Sequence, residues 1–224
     1  MSGALEEMGA FFDARCRVYD AVHTGGIDGG MESKRVPAAL LPEGTRTLLD
    51  LGVGTGLELE AVFARFPTVR VTGLDIAPRM LALLREKYPG RGLDLHLASY
   101  LDWDFGRARY DAALSVMTLH HYTHAVKLGI YQRLRDCLRP GGVYVECDYM
   151  LPEQVFADPQ AEEDRLFAEY ARLRREQGLE DGREYHFDTP CTVANQKRLL
   201  REAGFAAVEE CWRQGSTVVL HAGL

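Results

Sequence analysis

From Thr47 onward, two hydrophobic rhythms alternate along the chain. TLLDLGVG, starting at Thr47, is a short apolar run halted by glycines and predicts a buried strand. LELEAVFARF places Leu59, Val62, Phe63 and Phe66 at helical spacing. VRVTGLD predicts a second strand, and PRMLALLREKY a second helix with Pro78 at its first position. LDLHLAS alternates as a third strand, and YDAALSVMTLHH predicts a fourth strand running into a loop. KLGIYQRLRDCL reads as a helix stopped by Arg139-Pro140-Gly141-Gly142, and GVYVECDYM as a fifth strand. Strands alternating with helices of about 10–15 residues imply βαβ units and a parallel sheet. Right-handed crossovers then put helices on both faces and a ligand at the carboxyl ends of the strands.

The flanks follow other rules. Phe12, Cys16, Tyr19 and Val22 share one face of an N-terminal helix, and TGGIDGG after it predicts a flexible loop, so residues 1–40 read as a helix and a lid loop. After Met150 the alternation stops. Residues 151–190 contain one long polar helix, roughly Pro159 to Gln177, with Leu166, Tyr170 and Leu173 as its apolar stripe, and then EDGREYHFDTP as a loop. VANQKRLLREAGF predicts a further amphipathic helix ended by Gly204, and AAVEECWRQ and STVVLHAG an antiparallel pair around Gly215. The insertion leaves the fifth strand at its carboxyl end. It is therefore expected to cap the ligand crevice together with the N-terminal helix, within one domain spanning 1–224.

Composition narrows the function classes. The chain has 224 residues and a net charge of −7, with 46% apolar and 26% charged residues, an ordinary globular mixture. A chain of this length buries roughly 70% of its extended surface and needs no metal or disulfide to fold. The acidic balance disfavours an extended phosphate-binding surface, so nucleic-acid substrates are not expected. Five cysteines without a CxxC spacing indicate neither a disulfide framework nor a zinc ribbon. The first residues carry acids and lack an apolar run, and no window of about 18 apolar residues exists, so no signal peptide and no membrane span are expected. A cytoplasmic protein follows as the expectation.

The informative stretch is Asp50-Leu51-Gly52-Val53-Gly54-Thr55-Gly56, between a strand and a helix. Glycines at alternate positions let backbone turn tightly and approach a ligand where a Cβ would collide. Asp75 ends the next strand, 19 residues beyond Gly56, where an acid can accept hydrogen bonds from ribose hydroxyls. Leu57 stands where a dinucleotide fingerprint needs its third glycine, and no Gly-Lys-Ser/Thr follows. Glu58 and Glu60 open the helix and would repel a pyrophosphate, so the predicted ligand is a nucleoside without phosphate.

LLDLGVGTG, the acid in GLDIAP, DAALSVMTLHH and LRPGGVYVECDY resemble successive motifs of the class I S-adenosylmethionine-dependent methyltransferases, specifically over about residues 40–150. The resemblance implies an α/β fold: a doubly wound, seven-stranded, mostly parallel sheet of order 3-2-1-4-5-7-6, last strand antiparallel, with helices on both faces and a helical cap. It implies S-adenosyl-L-methionine as cofactor. Gly52, Gly54 and Gly56 would line its methionine and ribose part, and Asp50 would contact the region through water or backbone. Asp75 would take the ribose hydroxyls, with Ile76 against the adenine and Met80 nearby. Ser99 stands where the family usually carries an Asp for the adenine amino group; Tyr100, backbone or Asp102 would share that task. Ser115 to Thr118 would pass beneath the sulfur. Tyr19 reads equally as a side chain closing over the cofactor and as an ordinary core aromatic.

Methyl transfer is a displacement at a carbon activated by a sulfonium. It requires placement of the nucleophile and exclusion of water, with a general base only for some acceptors. The catalytic candidates are His120 and His121 after the fourth strand, Asp148 at the end of the fifth (with Tyr149 beside it), and His186 in the inserted loop with Tyr185 and Asp188. A histidine near Asp148 would make a base; loop histidines that merely place backbone are the competing reading. No metal is expected. The expected partners are a small-molecule substrate and no membrane, with a homodimer left open. A methyltransferase of a small molecule is the reading. A non-catalytic S-adenosylmethionine-binding module and a tRNA- or cofactor-modifying relative stand as alternatives, and an oxidoreductase ranks lower because of Leu57.

Overall fold

The computed structural model describes residues 4–180 and 183–224. The loop expected over 180–190 therefore includes two residues, Asp181 and Gly182, that lie outside the described residues, as do Met1–Gly3 at the start of the chain. Seven strands form one sheet: β1 Thr47–Leu51, β2 Arg70–Asp75, β3 Gly92–Leu97, β4 Tyr110–Val116, β5 Leu138–Tyr149, β6 Ala207–Gln214 and β7 Thr217–Gly223. Their order is β3-β2-β1-β4-β5-β7-β6. The β1, β2, β3, β4 and β5 contacts are parallel, and β7 runs antiparallel to both β5 and β6. This is the arrangement that the alternating pattern and the resemblance imply.

The helices are α1 Met8–Gly25, α2 Glu32–Leu40, α3 Leu59–Arg65, α4 Pro78–Lys87, α5 His124–Cys137, α6 Pro159–Glu176 and α7 Val193–Glu202. The central strands are buried on both faces because helices cover both, which is why TLLDL reads as a continuous apolar run. One apolar core, with Leu49, Leu51, Tyr131, Leu134 and Leu200, lies on one face of the sheet. The other, with Leu48, Val62, Phe63, Val71 and Leu84, lies on the opposite face. Among the described residues, no helix is long and apolar enough to cross a membrane.

Three details differ from the sequence reading. Residues 32–40, expected as lid loop, form α2, in which Ser33 and Lys34 are buried and Pro37 sits inside the helix. Two buried polar residues and a proline hide the apolar period there, and packing on α3 and the sheet supplies what propensity withholds. On α1, Cys16 packs with Ala77 and Met80 of the α4 region, with Phe12 and Tyr19 against them, but Val22 is exposed. Finally, β5 starts at Leu138, because the Arg-Pro-Gly-Gly stretch leads into the strand instead of standing apart from it.

Candidate active site

The first cavity lies at the carboxyl ends of β1, β2 and β4, where the strand order reverses. Its space, about 450 Å³ with the open mouth included, is lined by Gly52, Gly54, Asp75, Ile76, Met80, Tyr100, Met117 and Thr118, with Met8, Phe12, Tyr19 and His121 on the far wall. The turn after β1 is built from residues that accept a positive φ. Gly52 stands at +64° and Gly54 at +51°. A Cβ on Gly52 would overlap the Thr118 hydroxyl, so glycine there serves both conformation and close approach.

Asp75 ties that turn to the next helix. Its Oδ2 accepts the Gly54 N–H at 2.8 Å and its Oδ1 accepts the Ala77 N–H at 2.8 Å, at the start of α4. Burial pushes its pKa up to about 6, against the pull of these N–H donors. Each carboxylate oxygen keeps acceptor capacity facing the cavity, as vicinal hydroxyls would require. A left-handed glycine turn, with no room for a Cβ at Gly52, and a carboxylate at its rim fit the nucleoside that the sequence implies.

Behind the turn the structure departs from expectation. Asp50 is 1% exposed and does not line the cavity; its carboxyl faces Glu58, the residue that caps α3. Burial, then the charge of Glu58, raises the Asp50 pKa, and burial raises that of Glu58 against the pull of Lys34. Glu58 is thus an internal acid beside the buried Lys34, and of the two glutamates at the helix start only Glu60 faces solvent.

A second cavity, with about 670 Å³ of empty space, adjoins the first. Its wall combines Phe11, Phe12, Arg15, Tyr19 and His23 of α1, Met117, His120 and His121 after β4, Tyr149 of β5, and His186 and Asp188 of the inserted segment. Phe12, Tyr19, Met117 and His121 line both cavities. His120 Nδ1 lies 2.5 Å from Asp148 Oδ1, both side chains being buried. Asp148 also accepts the backbone N–H groups of Leu119 and Tyr149. Burial alone would lower the His120 pKa, but the Asp148 carboxylate outweighs it and raises it, while Asp148 is held below its ordinary value. Burial and the charge of His120 push His121 down to about 4, so His121 is a neutral ring.

Two chain segments, the N-terminal helix with the residues leading into it and the inserted loop, close over both cavities. Asp20 of α1 accepts from the Thr55 hydroxyl and from Lys87, clipping α1 to the glycine turn and to α4. Glu7 bridges Tyr185, with Met8 N–H donating to Glu184 O and His186 N–H to Glu6 O, each at 2.9 Å. Thr189 N–H donates to His120 O at 2.6 Å. The inserted loop, not α6, carries the residues over the cavities. α6 is held further out, where Glu163 accepts the Thr192 and Asn195 N–H groups.

Of the sequence candidates, Tyr19, Gly52, Gly54, Asp75, Ile76, Met80 and Tyr100 meet at the first cavity, and His120, His121 and His186 at the second. Asp148 stands behind His120. Gly56, at φ +67°, shapes the turn from below, where a Cβ would run into Leu84. Ser115 does not face the cavity: its hydroxyl pairs with the Tyr144 phenol in the core, and Met117 and Thr118 take the position beside the ligand space. Ser115 lies inside β4, where its side chain joins the core, whereas Met117, at φ +56°, and Thr118 follow the strand's end, where the chain leaves the strand path. Ser99 also lies outside the lining; its Oγ donates to Glu184 Oε1 at 2.5 Å. Glu184, bonded by Tyr122 as well, is the residue that sequence reasoning missed. Its signal was an acid next to Tyr185 in the loop already singled out, but only folding brings it 85 residues back to Ser99.

Residues 48–142 match the family model described as a methyltransferase domain. An O-methyltransferase, cnsE, of Penicillium expansum is 26% identical over 191 residues, covering 83% of this chain and 61% of that protein. A carboxy-S-adenosyl-L-methionine synthase of Wolinella succinogenes is 29% identical over 188 residues, covering 78% of this chain and 75% of that one. The solved structure of human N-acetylserotonin methyltransferase in complex with SAM superposes with a TM-score of 0.66 at 15% identity, over 96% of this chain and 56% of that one. The chain thus spans less than two thirds of the fungal and human proteins. Sheet order, glycine turn and matched segment agree: residues 48–142 are similar to a methyltransferase domain, and the chain has the fold of solved methyltransferase structures.

Proposed function

We propose that the chain is an S-adenosylmethionine-dependent methyltransferase that acts on a small-molecule acceptor by direct in-line transfer. The observation that carries this reading is the shared wall between the two cavities, which sets a nucleoside site and a second, aromatic- and histidine-lined space side by side. When bound, the cofactor supplies a methyl group made electrophilic by its sulfonium. Gly52 and Gly54 give its backbone-facing part room, and Asp75 accepts from the ribose. Ile76 and Met80 would pack on the base. The N-terminal helix and residues 183–190 exclude water from the junction.

On the acceptor side, Asp148 holds the proton of His120 on Nδ1, leaving Nε2 to receive a proton from the acceptor. A hydroxyl acceptor gains most from such a base, because its proton must leave as the new O–C bond forms. His121 and His186 border the same space as neutral polar groups, and Phe11, Phe12 and Tyr19 offer it flat faces.

Calorimetric titration with S-adenosylmethionine and separately with NAD tests the donor half. Binding of the first and none of the second is expected, and tight NAD binding without S-adenosylmethionine binding overturns the reading. A panel of small hydroxyl compounds with labelled donor tests the rest. A product heavier by one methyl group is expected. No labelled product with any acceptor would leave a cofactor-binding module, and a modified donor in place of a methylated acceptor would indicate a cofactor-modifying enzyme.

A further inference from the structure

We propose that His120 Nε2, His121 Nδ1 and Asp188 Oδ1 form a binding site for a divalent transition-metal ion of the zinc class, in the wall of the second cavity. The three ligand atoms lie within 4.8 Å of one another. The carboxylate oxygen is 3.1 Å from His121 Nδ1 and 3.6 Å from His120 Nε2. A tetrahedral ion with bonds of about 2.1 Å sets its ligands about 3.4 Å apart, between these two values. His186 Nε2 lies 3.9 Å from the same oxygen and can complete the shell. Two of these three separations are too long for hydrogen bonds, so hydrogen bonding does not account for the convergence of three imidazoles on one carboxylate.

Two further observations point the same way. Asp148 binds the far nitrogen of His120, the arrangement in which a carboxylate orients a histidine ligand and leaves the other nitrogen's lone pair for a metal. The backbone is also set in place: the N–H and the hydroxyl of Thr189 both donate to His120 O, fixing the Asp188 segment against the histidine pair. His120 and His121 are nearly buried, whereas the Asp188 side chain is 54% exposed at the cavity mouth, which leaves an entry path. Two or three imidazoles with one carboxylate favour zinc, cobalt or nickel over magnesium or calcium.

The site's meaning rests on the function proposed above. The lone pair of His120 that would receive the acceptor's proton is the one that would hold the ion, so ion and proton compete. Occupancy is expected to inhibit methyl transfer and leave donor binding intact, since Asp75 and the glycine turn lie outside the ligand set.

The test uses the full chain without an affinity tag, stripped with a chelator. Calorimetry with Zn²⁺ and visible absorption with Co²⁺ are expected to show one ion per chain with a tetrahedral spectrum. Asp188→Asn is expected to weaken the ion by about 10–100-fold. S-adenosylmethionine binding, measured in the same sample, serves as the folding control. No Zn²⁺ binding, or Zn²⁺ binding unchanged by Asp188→Asn and by His186→Ala together, overturns the site. Failure of donor binding in the metal-free protein would instead overturn the functional reading. With an acceptor in hand, Zn²⁺ is expected to lower turnover and the chelator to restore it.

Discussion

The two cavities share a wall yet are built on opposite principles. The donor side is made where strands end: a glycine turn directly after β1 and an acid at the tip of β2, joined by two hydrogen bonds of 2.8 Å. Its key groups come from neighbouring elements, and much of the work is done by backbone. The acceptor side is made of side chains from α1, the segment after β4, the end of β5 and the inserted loop, which meet only because three long-range backbone contacts hold them. A scaffold that positions backbone can serve any acceptor; the side chains gathered opposite decide which one.

That contrast is open to test. The largest effect is expected on the acceptor side. His120→Ala should lower turnover by about 10²–10⁴-fold with donor affinity unchanged, measured by single-turnover kinetics and calorimetry. Parallel loss of donor binding would show that the two sides are not separable. Next, Gly52→Ala forces a side chain into a positive φ and into Thr118. It should cost at least about 2 kcal/mol in donor binding or stability, read by thermal unfolding with and without donor. Asp75→Ala should then weaken the donor by about 1.5–3 kcal/mol, and an unchanged affinity would remove Asp75 from the ribose site.

The pH dependence separates folding from binding at the same residue. Because burial raises the Asp75 pKa to about 6, folding takes up a proton there. Its contribution to stability is full below the unfolded carboxyl value of about 4 and is lost as pH rises through about 6. Donor binding needs the carboxylate and runs the other way, falling by about tenfold between pH 7 and pH 5. Titrations across that range check the sign. The smallest effect concerns the rim of the acceptor side. The Arg15–Glu6 pair is half exposed, so Glu6→Ala should leave the midpoint of chemical denaturation unchanged.

Legibility followed the same division. The βαβ order, the glycine turn and Asp75 could be read directly, because each depends on local spacing: period-2 and period-3.6 patterns, glycine where a Cβ collides, an acid at a strand end. The misreadings sit where a side chain's direction or partner is set from afar. Ser115 was placed beneath the ligand by its position in the chain, but it still lies within β4 and packs on Tyr144, and the cavity lining begins only past the strand's end. Asp50 and Glu58 read as two charges near a ligand, yet both are buried side by side behind the turn, where burial raises their pKa values. Residues 32–40 read as loop because Lys34 and Pro37 mask a helix that tertiary packing stabilises.

The chain's own pattern was enough to specify a doubly wound sheet, the turn at its switch point and the acid at the tip of the next strand. All three follow from backbone conformations that neighbouring residues enforce. The tertiary structure alone decided that Glu184 reaches Ser99, that Asp148 backs His120, and that three imidazoles converge on Asp188. Most of those groups lie tens of residues apart, and no local rule of spacing or propensity brings them together; only the packed core and the loops laced across it do.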